Sequence, residues 1–179
     1  MRKLYYVPTI HFYDECSEAP TTRKEKKNKK KVDKLATKYW TEIISILDKN
    51  EIDAKNMVVF QDGMTCDDEL CESVLREIAK EVKTLGKEYI VRLLDNGARS
   101  VKTEDEKLIT EHRWLFDEWY DNERNDIIMD KRDVYVAGSI NTKLKGVGIA
   151  FMGASHQVPK YLDKDIEVIR IEPFGRLEK

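Results

Sequence analysis

The chain has 179 residues, 41% of them apolar and 37% charged, and its 32 basic and 34 acidic side chains nearly cancel to a net charge of −2. That balance disfavours a whole-surface interaction with nucleic acid, which takes a strong basic excess. No apolar run approaches the ~20 residues that span a bilayer, and the basic start at Arg2 and Lys3 leads into no apolar stretch long enough for a secretory signal, so membrane, collagenous and wholly disordered classes are excluded and one domain is expected.

Residues 3–10 predict a first strand, rich in aromatic and β-branched residues, with Pro8 placed at its end or on an edge because it lacks a backbone donor. Residues 12–31 read as a loop. Its basic part, 17–31, is read as flexible, because a dense run of like charges repels itself and no apolar face interrupts it before Val32. From Val32 to Leu47 the apolar positions 32, 35, 36, 39, 40, 43, 44 and 47 follow the rhythm of an amphipathic helix. Met57 to Phe60 is a short continuous apolar run, the pattern of a parallel strand covered on both faces.

Gln61-Asp62-Gly63 predicts a turn, and Asp67 or Asp68 caps a helix to about Leu85. A short helix over 87–95 stops at Asn96-Gly97, and residues 98–102 form a third strand. Thr103 to Glu106 opens a helix with a hydroxyl and early acids. This helix carries Trp114, Phe116, Trp119 and Tyr120, whose spacing favours a core stripe, and it bends near Asp121. A further helical segment covers 122–143. Residues 147–152 make a strongly apolar fourth strand, and 165–171 alternate as a fifth with one wet face. Strands alternating with helices imply a single α/β domain over 1–179, with a mainly parallel sheet of about five strands flanked by helices.

In such folds ligands bind beyond the carboxyl ends of the strands. His11 follows the first strand. Gln61 and Asp62 follow the second, Thr103, Glu104 and Asp105 the third, and Ser155 and His156 the fourth. Two of the three histidines in the chain therefore fall at strand exits, beside several acids. Imidazole nitrogen and carboxylate oxygen suit zinc, manganese or iron(II), and such a metal acidifies a bound water and polarises an ester or peptide carbonyl. His112, within a helix, reads as structural or surface. Gly153 is expected to give the turn after the fourth strand a positive φ that swings His156 over the sheet edge. Glu123-Arg124 precedes the fourth strand, where an arginine can pair with a site carboxylate or an anionic substrate. No G-x-S-x-G elbow, Walker A or G-x-G-x-x-G pattern is present.

Asn122-Glu123-Arg124-Asn125-Asp126-Ile127-Ile128-Met129, followed by Gly148 to Met152 and then Gly153-Ala154-Ser155-His156, resembles the TraB/Tiki group, more loosely related to ChaN and the erythromycin esterases. Gly153-Ala-Ser-His156 matches that group's second G-x-x-H motif, and Glu123-Arg124 its helical E-R motif. Pro8-Thr9-Ile10-His11 keeps the histidine of the first G-x-x-H but has proline for glycine, and Gln61 stands where an acid is expected, with Asp62 one step late. The resemblance implies a compact α/β domain and, as for Tiki, metal-dependent proteolysis.

Three functional readings follow. The first is a metal-dependent hydrolase of peptide or ester bonds. His11 and His156 would be metal ligands, Glu104 (or Asp62) would complete the shell or act as base, and Arg124 would orient substrate. Gln61, Glu123, Gly153 and Ser155 would line the substrate site, which would take a small molecule or peptide. The second is a non-catalytic small-anion-binding or regulatory module. The third is nucleic-acid association through 23–34, where eight of twelve residues are Lys or Arg. Three cysteines and no leader fit a reducing cytoplasm. Cys66 and Cys71 lack the C-x-x-C spacing and read as structural rather than redox-active or zinc-binding.

Overall fold

The protein is described by a computed structural model covering residues 1–10, 22–50, 52–118 and 122–173. Five strands make one sheet: β1 (Arg2–Thr9), β2 (Val58–Gln61), β3 (Arg99–Val101), β4 (Val147–Gly153) and β5 (Ile166–Arg170). All are parallel, in the order β3-β2-β4-β1-β5. The helices are α1 (Arg23–Lys49), α2 (Asp68–Glu81), α3 (Leu85–Asp95), α4 (Glu106–Glu118) and α5 (Asn122–Lys143), with a 3₁₀ turn at Val158–Tyr161.

Strand alternation divides the core in two. Val7, Val59, Ile149 and Phe151 pack against Trp40, Ile43 and Leu47 of α1, Cys71 and Leu75 of α2, and Tyr89, Ile90 and Leu93 of α3. Leu4, Tyr6, Val58, Phe60, Ala150 and Met152 point the other way, onto Val136, Ala137 and Ile140 of α5. Both parities of β2 and β4 are buried, which is why those strands read as continuous apolar runs. Each such buried side chain contributes about 1.5–3 kcal/mol relative to exposure.

Residues 23–31 belong to α1, where the charge run predicts a loop; Cys16 and the rest of 11–21 lie outside the described residues. The helix starts in a capping box: Glu25 N donates to Thr22 Oγ1 at 3.2 Å, and Thr22 N donates to Glu25 Oε2 at 2.9 Å. Lys29 pairs with Asp33 one turn on, at 3.1 Å. Lysine is a good helix former, so two satisfied amides and an i,i+4 pair outweigh the like-charge repulsion. Trp114, expected in a core stripe, is 51% exposed on α4, while Trp119 and Tyr120 lie outside the described residues. The stop after α3 is as predicted: Gly97 sits at φ +98°, and Ala98 N donates to Leu93 O at 3.1 Å. Among the described residues no helix is long and apolar enough to cross a membrane.

Candidate metal centre

Four elements deliver charged side chains to one place at the carboxyl edge of the sheet. Asp62 leaves β2 next to Gly63, which takes φ +79°. The turn that follows folds back so that Met64 O accepts from Thr103 N at 2.9 Å and Glu104 N at 3.0 Å. That fixes the exit of β3 beside the exit of β2. Arg132 and Asp133 project from the middle of α5, on the buried stripe that continues through Val136, Ala137 and Ile140. His156 ends the turn after β4, its N–H donating to Gly153 O at 3.0 Å.

Arg132 grips Glu104 with two donors: Nε lies 3.1 Å from Oε2 and Nη2 lies 2.6 Å from Oε1. The same Nη2 reaches Asp62 Oδ1 at 3.1 Å. His156 Nδ1 lies 2.5 Å from Asp133 Oδ1, and its Nε2 lies 3.4 Å from Asp62 Oδ2. Gln157 N donates to the other oxygen of Asp133 at 2.6 Å, and Gly153 N donates to Asp62 Oδ2 at 3.0 Å. The side chains of Glu104 and His156 are 0% and 2% exposed, whereas Asp62 keeps 17%, so the cluster meets solvent mainly through Asp62. One ligand atom each from Asp62, Glu104 and His156 lies within 4.8 Å of the others, a group able to hold a metal ion.

The electrostatics follow from burial and these pairings. Burial pushes His156 down, but its hydrogen bonds to Asp133 and Asp62 overcome that and raise it to about 9. Burial pushes Asp62 up, and its bond to His156, backed by Arg132, holds it below the usual carboxylate range. Glu104 is raised, by burial first, with Arg132 opposing and the nearby Asp62 adding to the rise. His112 of α4 stands at the rim: Arg132 Nη1 lies 3.2 Å from its Nδ1, and its Nε2 lies 2.9 Å from Asn125 Oδ1. Burial and then Arg132 lower its proton affinity, so the neutral ring accepts from Arg132 and donates to Asn125.

The strand-end rule thus brings Asp62, Glu104 and His156 together. His11 lies outside the described residues. The arginine holding the site carboxylates is Arg132; Glu123 and Arg124 are exposed in the first turn of α5, about two turns away along the helix. Gly153 does not take a positive φ. Its role is close approach: a Cβ there would stand 3.0 Å from Asp62 Oδ2. Ser155 is exposed. Gln61 has the parity of Val59 and turns to the opposite face, where with Thr9, Trp40 and Gly86 it lines a cavity of about 20 Å³, room for one water molecule. Gln61 Oε1 and Thr9 Oγ1 are both buried without a hydrogen-bond partner there. Sequence reasoning missed Arg132, Asp133 and the rim position of His112. The available signal was two charged residues in the inward register of α5.

Comparison with family models, with curated proteins and with solved structures finds no significant match.

Proposed function

We propose that the chain is a divalent-metal-dependent hydrolase of a peptide or ester bond, with Asp62, Glu104 and His156 as metal ligands. The observation that carries this reading is a buried charge imbalance with matching donors. Three carboxylates (Asp62, Glu104 and Asp133) face one guanidinium, Arg132. With His156 protonated one negative charge is uncompensated; once the ring gives up that proton to coordinate, two remain, the charge one divalent cation supplies. Buried unpaired charge is costly, so the site favours that cation. The donor set, two carboxylate oxygens and an imidazole nitrogen, suits zinc, manganese or iron(II).

Asp133 supports the same reading. Bonded to Nδ1 of His156, it holds the proton there and leaves Nε2 toward Asp62 as the ligating atom, the usual outer partner of a metal-bound histidine. A cation so held would lower the pKa of a bound water and polarise the scissile carbonyl. Arg132 fixes the orientations of Glu104 and Asp62. Glu104, gripped on both oxygens by Arg132, would complete the metal shell. Substrate approaches past Asp62, the most exposed of the three.

The test is metal content of the purified protein by elemental mass spectrometry, with Asp62→Asn and His156→Ala in parallel, followed by an ester and peptide substrate screen. Near-stoichiometric transition metal, lost in both variants, supports the reading. No metal as purified and no thermal stabilisation by added zinc, manganese or iron(II) would sink it.

The ordered start of α1 favours a second reading alongside the first. Lys24, Lys26, Lys27, Lys30, Lys31 and Lys34 are exposed on a helix, a surface suited to phosphates. Binding to nucleic acid that weakens steeply with salt, and disappears when these lysines become glutamine, would support it; salt-insensitive binding would not.

A further inference from the structure

Apart from the metal centre, the turn after β2 gathers three sulfur atoms. Cys66 Sγ lies 3.1 Å from Cys71 Sγ and 3.1 Å from Met64 Sδ. Cys66 is half-buried just before α2, and Cys71 is buried in its first turns. Sequence spacing argues against a redox pair, but the spacing rule assumes a C-x-x-C turn at a helix start. Here Cys66 stands one residue before the N-cap Asp67 and Cys71 in the first turn of α2, so the longer spacing still brings the sulfurs together, and Cys71 Sγ lies 3.2 Å from Cys66 O.

We propose that Cys66 and Cys71 are a reversible dithiol–disulfide pair that, when oxidised, pins the β2–α2 turn. Closing the bond needs the two sulfurs to approach by about 1 Å. The oxidant is a small-molecule disulfide. The Cys66 thiolate, the more accessible of the two, attacks one sulfur of the oxidant and expels one thiolate. Cys71, deprotonated, then attacks the Cys66 sulfur of the mixed disulfide and expels the second. Two protein thiols become one disulfide and the oxidant becomes two thiols, so two electrons and two protons are transferred. Burial, followed by the neighbouring Cys66 thiol, pushes Cys71 up to about 12. The more buried thiol, held protonated by burial, is therefore the second to react.

The turn that would be pinned holds the metal centre in register. Met64, two residues before Cys66, is the acceptor for the amides of Thr103 and Glu104. Asp68, two residues after Cys66, accepts from Lys102 N at 2.7 Å and Lys143 Nζ at 2.6 Å. Oxidation therefore tightens the clamp between β2, β3 and α2. The proposal does not rest on the hydrolase reading and is measured by thiol chemistry, so either can fail alone.

The experiment uses the full chain with Cys16→Ser, which leaves only this pair. The folded protein is incubated with oxidised glutathione, then denatured and alkylated. The expected product is monomeric, lighter by two hydrogens, without alkylatable thiols, and restored by dithiothreitol. Hydrogen exchange at the Thr103 and Glu104 amides should slow several-fold in the oxidised form. A persistent glutathione adduct on Cys66, or two thiols still alkylatable after equilibration, would overturn the disulfide. Unchanged exchange at both amides would overturn its link to the metal centre.

Discussion

Nδ1 of His156 lies 2.5 Å from Oδ1 of Asp133, and both side chains are almost wholly buried, at 2% and 4% exposure. The two residues come from different layers, a helix and the turn after a central strand. Asp133 also accepts from Gln157 N, so one carboxylate sets both the ring and the backbone that carries it. Asp133→Asn keeps the shape but weakens the hold on the Nδ1 proton. Outer partners of this kind are worth about 10–100-fold in metal affinity, and that loss is expected in a zinc or manganese titration of the variant. Wild-type affinity in Asp133→Asn would show that the pair only supports the turn.

Metal uptake should depend on pH. His156 is raised to about 9 by Asp133 and Asp62 against burial, so it is protonated near neutrality without metal and must lose that proton to coordinate. Affinity is expected to climb from pH 6 to pH 9, with about one proton released per ion at pH 7. Calorimetry in buffers of different ionisation enthalpy reads the proton count directly, and zero release would contradict the assignment of Nε2 as a ligand.

The metal-free protein should show the converse dependence in its stability. A histidine whose folded value exceeds its unfolded value of 6.5 stabilises fully below that pH, and the contribution is lost as pH rises toward about 9. Asp62 acts in the other sense, contributing above the ordinary carboxylate range and losing its contribution as pH falls through it. Denaturant midpoints should therefore be highest between about pH 5 and 6.5 and decline toward pH 9. His156→Gln should flatten the alkaline decline; a decline of unchanged size would assign it to other groups.

Arg132 carries the largest single electrostatic burden. Arg132→Gln leaves Glu104 and Asp62 facing each other in a buried site, and losing one partner of a buried pair costs about 3–5 kcal/mol. A divalent cation supplies the missing charge, so the variant should gain more thermal stability from added metal than the wild type does. Arg124→Ala, on the exposed first turn of α5, should leave the stabilisation by added metal at its wild-type size. Equal effects of the two substitutions would return the site arginine to position 124.

Gly86 tests the other face of the sheet. A Cβ at this position would stand 2.5 Å from Trp40 Cζ2, where the indole of α1 meets α3. Glycine to alanine within a helix ordinarily gains up to about 1 kcal/mol. Displacing a buried tryptophan is expected to reverse that sign, with a net loss of about 1–3 kcal/mol in chemical denaturation. A stabilised Gly86→Ala protein would mean that α1 and α3 are less closely packed than 2.5 Å implies.

The order of the elements and the apolar faces were legible in the chain itself, because burial periodicity is a local property. Val58 to Phe60 and Gly148 to Met152 are apolar at every step, as strands covered on both faces must be. The exits holding Asp62 and His156 follow from those strands, and the exit holding Glu104 from the short third strand. The start of α1 was also written locally, in Thr22 and Glu25, yet the charge run concealed it. What only the tertiary structure decided is which helix closes over those exits. Arg132 and Asp133 lie in the register of a core stripe, and a charge there has no meaning until its partners, 28 residues back at Glu104 and 23 residues on at His156, are brought beside it. Parity turned Gln61 to the opposite face, and the start of α2 put Cys66 against Cys71. Sequence patterns report which way a side chain faces; only the packed fold reports what it meets there.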